Sequence, residues 1–288
     1  MKKIISALLA VLLSATMLSG IAMADGNSRI VFGKDLTDKQ KTELLKYFGV
    51  EKDAVPTLEV SIDEEKAWLG KVLPAEKIGS RSLSSIYIKE TAEGSGLNVE
   101  TKNINWVIPE MYMAACMTAG IVDADIKIAA PTPVSGTAAL VGICKAYEDI
   151  TGAKLDPAAM NAAIEELVLT GNLGDYLGSE EATVLVNDLK KALDQVKGKS
   201  DDEIKDLIAQ TAKDHNVSLT DGQVDQLVNL VKRLSELNID PNLLLQQAKK
   251  LQDLTDKLNG IQQSADGIGG WFSSVWDGFT GWLRSIFG

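Results

Sequence analysis

Residues 129–140 read AAPTPVSGTAAL, and this stretch marks a predicted change from strand to helix. The preceding Ile126-Lys127-Ile128 alternates as a strand with one buried face does. Pro131 and Pro133 lack the N–H that a strand ladder uses, so we expect the strand to be broken there. A helix is predicted to follow and to end near Gly152.

The start of this helix has two interpretations. Ser135, Gly136 and Thr137 bring backbone N–H groups and hydroxyls to a helix N-terminus, which can bind an anion. The same residues would also serve as an ordinary helix cap after a strand. Both interpretations stay open, and these three residues are candidate ligand-binding residues together with Ser85 and Tyr87.

On the N-terminal side of this junction, strand and helix patterns alternate. Strands are predicted at 31–33 and 58–62, with helices after each. Residues 83–89 and 97–101 are expected to form a hairpin around Gly94-Ser95-Gly96. Residues 25–152 therefore predict an α+β (or α/β) domain.

On the C-terminal side the patterns are helical. Asp156 followed by Pro157 is a helix-capping pair, and 171–178 is predicted as a loop. Residues 153–264 are therefore expected to form an all-α region, with further helices at about 180–196, 201–214, 221–237 and 241–262.

Residues 265–288 form a separate segment, in which a glycine hinge precedes an amphipathic aromatic helix. Such a helix can bind a membrane or envelope surface, a partner, or its own protein, and the sequence leaves these alternatives open. The candidate contact residues are Trp271, Phe272, Trp276, Phe279, Trp282 and Phe287.

Residues 1–24 have the pattern of a secretory signal peptide. Lys2 and Lys3 precede an uncharged, mostly aliphatic stretch that closes on Ala22-Met23-Ala24. Cleavage after Ala24 is expected, which makes the protein exported and extracellular or associated with the cell envelope. An uncleaved membrane anchor is the alternative.

Charge and composition limit the partners. The formal net charge of −11 becomes −13 once Lys2 and Lys3 leave with the leader, which argues against nucleic acid. The apolar fraction of 45% suffices for a core. Cys116 and Cys144 are interpreted as buried thiols, with one disulfide or a reactive thiol as alternatives.

No established catalytic, cofactor or metal-binding motif is found in the sequence. His215 lies at a predicted helix end, where a basic residue is expected anyway. Glu64 and Glu65 are interpreted as first-turn carboxylates that favour the helix dipole. We therefore predict no catalytic residues, no metal and no cofactor, and we expect a protein that is not an enzyme.

Five stretches make the chain similar to a known family: Gly33-x-x-Leu36-Thr37-x-x-Gln40, Ser84-Ser85-Ile86-Tyr87-Ile88, Gly94-Ser95-Gly96-Leu97, Met111-Tyr112 through Ala119-Gly120-Ile121, and the block at 129–140. Over about residues 28–260 it resembles the DUF1002 family of YpuA-like exported proteins from Gram-positive bacteria. This resemblance implies export and a shared fold, but no reaction.

The expected function is that of an exported, non-enzymatic protein of the cell envelope, whose tail contacts a membrane or a partner. The alternative is an envelope-polymer hydrolase, or a module that binds a small anion. Either alternative would use Ser84, Ser85 and Tyr87 together with residues 135–137.

Overall fold

The fold was analysed in a computed structural model, which describes residues 26–70, 72–73, 78–237 and 239. The predicted signal peptide at 1–24, the helix predicted at 241–262 and the aromatic tail at 265–288 lie outside these residues. Within the described part of the chain, no helix is both long and apolar enough to cross a membrane.

The α+β fold class is confirmed by a five-stranded mixed sheet with the order β2-β1-β3-β5-β4. Strands β1 and β2 are parallel, as are β4 and β5, whereas β3 runs antiparallel to both of its neighbours. The strands are β1 (Ser28–Gly33), β2 (Thr57–Val60), β3 (Ser85–Glu90), β4 (Leu97–Ile104) and β5 (Ala124–Val134).

The hairpin predicted between β3 and β4 is wrong, because β5 lies between these two strands. Ile86 and Ile88 are paired with Ile128 and Ile126, and Val99 is paired with Ile126 from the other side. Both β3 and β4 form a long ladder with the apolar β5, an interior strand of the sheet, and the Gly-rich turn between β3 and β4 gives no sign of this pairing.

The strand break predicted at Pro131 and Pro133 is also wrong, since β5 continues to Val134. The ladder with β3 ends at Ala129, so both prolines lie beyond the point where that side needs N–H donors. The ladder with β4 shifts its register before Ile104 pairs with Val134.

Nine helices are found among the described residues. Several predicted caps are present: Thr37 and Gln40 form a capping box, and Asp156 caps a helix that begins at Pro157. The helices are α1 (Asp38–Phe48), α2 (Ile62–Leu69), α3 (Pro109–Thr118), α4 (Thr137–Thr151), α5 (Pro157–Leu177), α6 (Ser179–Lys191), α7 (Leu193–Val196), α8 (Asp201–Asp214) and α9 (Asp221–Glu236).

The loop predicted at 171–178 is wrong, because α5 continues through it to Leu177. Gly171 allows the Trp106 ring to lie directly against the helix, and a Cβ at Gly171 would clash with that ring. The glycine therefore serves close packing and does not end the helix.

The sheet lies between helices on both faces. Helix α1 covers one face through Leu44 and Phe48, which pack with Ile30 and Phe32. The other face packs against α3, α4 and the first half of α5 in one continuous core. Cys116 and Cys144 lie in this core as free, buried thiols, and burial raises the pKa of both.

A buried polar cluster joins α6 to α3 and α5. Lys190 Nζ donates to Glu166 Oε1 at 2.8 Å, to Thr118 Oγ1 at 2.9 Å and to the Ala114 carbonyl at 3.0 Å. Thr118 Oγ1 donates to Glu166 Oε2 at 2.5 Å, and the Lys190 and Glu166 side chains are each only 1% exposed. The cluster connects the helical half to the sheet domain and satisfies both buried charges.

We predict that Lys190→Met lowers the free energy of unfolding by about 3–5 kcal/mol, because it leaves the Glu166 carboxylate buried without its partner. Urea denaturation followed by circular dichroism measures the loss. Adding Glu166→Gln should restore part of the stability.

The matched control is Lys154→Met, whose 85% exposed side chain pairs with Glu148 at the surface. A change below about 1 kcal/mol is expected there. An equally small change for Lys190→Met would contradict the role assigned to the cluster.

Candidate functional site

The candidate site is an open cleft of about 560 Å³ at the N-terminus of α4, which we name the α4 cleft. It lies between the first turn of α4, the loop before β3, and the contact between Trp106 and α5. Its polar lining residues are Glu65, Ser80, Arg81, Ser84, Ser135, Thr137 and Asp175, with Trp106 beside them.

The first turn of α4 opens on the cleft without a side-chain cap. Gly136 is the N-cap residue with a φ of 94°, and no side-chain cap at the helix start is found among the described residues. The Tyr112 hydroxyl donates to the Gly136 carbonyl at 2.6 Å, and a Cβ at Gly136 would clash with Tyr112 and Ile104. Gly136 is therefore required by sterics. The Ala139 N–H donates to the Gly136 carbonyl at 3.0 Å, whereas the N–H groups of Thr137 and Ala138 are the two that a ligand could use.

The opposite wall is the loop before β3, which is fixed against the end of β1. A Cβ at Gly33 would clash with the Ser82 backbone, and the Ser82 N–H donates to Asp35 Oδ2 at 2.7 Å. Arg81 is exposed beside this contact and donates to the Asp35 carbonyl at 3.1 Å. The loop thus holds a guanidinium and the Ser84 side chain at the cleft.

Glu65 is the most unusual residue of the cleft. It lies on α2, is 1% exposed, and its Oε1 has no hydrogen-bond partner among the residues that the structure describes. Burial raises its pKa to about 7, the negative charges of Asp35 and Glu64 add to the increase, and the Ser82 side chain opposes it. At neutral pH this carboxyl group is therefore protonated in a large fraction of molecules.

Trp106 and Asp175 form the third side of the cleft. The indole Nε1 of Trp106 donates to Asp175 Oδ1 at 2.9 Å, and the ring lies across Gly171. This hydrogen bond ties the segment after β4 to α5. A half-buried indole and a carboxylate thus face the same space as the α4 N-terminus.

The cleft brings together the two candidate segments of the sequence analysis through Ser84, Ser135, Gly136 and Thr137. Ser85 and Tyr87 do not line it. The buried Ser85 hydroxyl accepts from the Gly33 N–H at 3.3 Å, and Tyr87 stacks against Phe48 on the α1 face of the sheet.

Sequence reasoning missed Glu65, Arg81, Trp106 and Asp175. For Glu65 there was a signal: it is four residues before the buried Leu69 and three after Ile62, and therefore lies on the apolar face of α2. The other three depend on contacts between distant segments, for which the sequence carries no local signal. The six aromatic residues of the tail lie outside the described residues.

Two comparisons with known proteins agree with each other. A family model described as "Protein of unknown function (DUF1002)" matches residues 32–251. The "Uncharacterized protein YpuA" of Bacillus subtilis (strain 168) is 37% identical over 289 residues, which covers 96% of this chain and 98% of the relative. No solved structure matches this chain.

We predict that Glu65→Gln raises the free energy of unfolding over that of the original protein, and that this gain is larger at pH 8 than at pH 5. The pKa of Glu65 is higher in the folded state, so its contribution to stability is complete below the unfolded value of 4.5 and falls as the pH rises through about 7. Glutamine stays neutral, so the gain over the original protein at pH 8 should be on the order of 1–3 kcal/mol.

Urea denaturation at pH 5, 6, 7 and 8 measures this difference. Glu43→Gln, which changes an exposed carboxylate on α1, is the control and should give a difference that does not vary with pH. If the difference for Glu65→Gln is equally flat, Glu65 is not the titrating buried group.

Proposed function

The chain belongs to the DUF1002 family, and from this premise we propose that it is an exported, non-enzymatic binding protein of the cell envelope that holds a small anionic ligand in the α4 cleft. One observation carries the proposal. The uncapped N-terminus of α4 shares its cleft with a buried, unpartnered carboxyl oxygen of Glu65.

The polar groups of the cleft suit a ligand that carries both an acid and hydroxyl groups. The N–H groups at the start of α4 and the Arg81 guanidinium favour a carboxylate or phosphate. Asp175 accepts hydrogen bonds from hydroxyl groups, and protonated Glu65 donates one. The Trp106 ring offers an apolar surface beside them.

Binding is favoured over the hydrolase alternative by the position of the candidate side chains. A hydrolase site would need Ser85 and Tyr87 near Ser135 and an acidic partner. Ser85 instead bonds to Gly33, and Tyr87 packs with Phe48. The residues that do meet in the cleft support the proposed binding role.

Localisation at the envelope is proposed from the two ends of the sequence. The leader at 1–24 supports export with cleavage after Ala24, and the aromatic stripe at 265–288 supports contact with a membrane surface or an envelope partner. The binding domain would then be held at the envelope through its tail.

For the cleft, we expect isothermal titration calorimetry to detect binding of N-acetylmuramate or inorganic phosphate to mature 25–288. Arg81→Ala should weaken binding about tenfold, because it removes a charge-assisted contact worth roughly 1.4 kcal/mol. Lys39→Ala, an exposed cation on α1, should leave the affinity unchanged. If neither compound binds the original protein, the proposed anion site is wrong.

For the tail, we expect mature 25–288 to sediment with liposomes made from an anionic Gram-positive lipid extract. Replacing Trp271, Trp276 and Trp282 together by alanine should abolish sedimentation, since these rings supply the interfacial contact. Replacing Ser273 and Thr280 on the polar face is the control and should have no effect. If the tryptophan variant sediments equally well, the tail does not bind membranes.

A further inference from the structure

The α4 cleft does not end at Asp175. This residue also lines a second hollow of about 460 Å³ between α5 and α9. Leu169, Asn172 and Gln226 line both the second hollow and a third of about 210 Å³. Because adjacent hollows share wall residues, the three lie side by side. We name the second and third together the α5–α9 groove, which adjoins the α4 cleft at Asp175.

The groove follows the axes of two antiparallel helices. On α5 its wall runs from Asp175 back to Glu165, ten residues or about 15 Å. On α9 it runs from Gly222 to Asn229. Arg233 Nη1 lies 2.6 Å from Glu165 Oε2 and joins the two helices at the far end. The groove is therefore longer than a single sugar ring or phosphate group needs.

The chemistry of the groove differs from that of the cleft. Its walls carry amides, which offer both hydrogen-bond donors and acceptors; Gln226 and Asn229 are exposed, and Gln223 is half-buried and also accepts from the Thr220 N–H at 2.8 Å. Among the described residues, no basic one lines the second or third hollow. The amide residues are Asn172, Gln223, Gln226 and Asn229. Such walls suit a chain of neutral units rich in hydroxyl and amide groups.

Tyr176 adds an aromatic surface where the cleft meets the groove. It is 80% exposed and is the large apolar side chain that the described residues leave open to solvent. An exposed ring in a polar groove can pack against the C–H face of a sugar, while its hydroxyl stays hydrated. Trp106 offers a second ring in the adjoining cleft.

We propose that the α4 cleft and the α5–α9 groove together bind a linear glycan that bears acidic groups, with one acid at the N-terminus of α4 and successive sugars along α5 and α9. This inference rests on the proposed anion site and extends it to a polymer. Arg81 is the one basic residue that lines any of the three hollows among the described residues, and it lies at the cleft. One acidic group therefore anchors the chain there, and the amides and Tyr176 hold the following sugars. The glycan is bound without any covalent reaction.

The test compares glycans of defined length by calorimetry on mature 25–288. The probes are peptide-free strands of alternating N-acetylglucosamine and N-acetylmuramate with two, four and six sugars. Chitin oligomers of equal length serve as the control without carboxylates. We expect the affinity to rise at least tenfold from two to six sugars, and the chitin oligomers to bind more weakly at each length.

Two variants test whether residues of the groove cause the higher affinity for six sugars. Tyr176→Ala and Gln226→Ala should reduce the affinity for six sugars to near that for two, while leaving the disaccharide affinity unchanged, because both residues are exposed and lie outside the α4 cleft. Gln210→Ala, an exposed amide on α8, is the matched control and should change neither affinity.

The outcomes separate the two proposals. If the disaccharide binds and added sugars give no gain, the groove is not a glycan site, and the anion site stands. If a hexaglutamate peptide binds as tightly as six sugars, the groove takes an acidic peptide, and the glycan inference is overturned. If no probe binds the original protein, both proposals fail.

Discussion

The hydrogen bond from the Tyr112 hydroxyl to the Gly136 carbonyl determines where α4 begins, and the candidate site depends on it. It presses the junction of β5 and α4 against α3, and only a residue without a Cβ fits there at a φ of 94°. Because glycine has no capping side chain, it leaves the N–H groups of Thr137 and Ala138 uncapped, while the Ala139 N–H donates to the Gly136 carbonyl. The same constraint thus fixes the packing and forms one wall of the candidate site.

The remaining walls of the cleft come from parts of the chain that the core brings together. Gly33 allows the loop with Arg81 and Ser84 to lie on the end of β1, and Gly171 allows Trp106 to lie on α5. The buried Lys190–Glu166 pair holds α6 to α3 and α5. The cleft is therefore a property of the whole fold and not of one motif.

The sequence predicted the local structure well where local chemistry decides it. The capping box of Thr37 and Gln40 and the Asp156-Pro157 cap gave correct helix starts, because both act within one turn of helix. The pairing of β3 and β4 with β5 is a long-range choice, so the Gly-rich turn at 94–96 misled the prediction.

For the candidate site, the sequence predicted the 135–137 segment because a helix start has a local signature. It did not predict Glu65 as a buried group, since Glu64 and Glu65 have the same chemistry and differ only in helical phase. Glu64 pairs with Lys145, and this hydrogen bond is the main cause of the lowered pKa of Glu64. Glu65 is buried instead, and burial raises its pKa. The helical spacing places Glu65 on the apolar face of α2, and contacts with distant segments then bury it, so the local pattern encodes only part of this difference.

The most direct test of the central claim is a ¹H–¹⁵N NMR titration of mature 25–288 with N-acetylmuramate. We expect the amide signals of Thr137 and Ala138 and the indole signal of Trp106 to shift most, because these groups line the α4 cleft. The amides of α8, which lies outside the cleft, should stay in place. Shifts concentrated on α8, or none at the start of α4, would contradict the account.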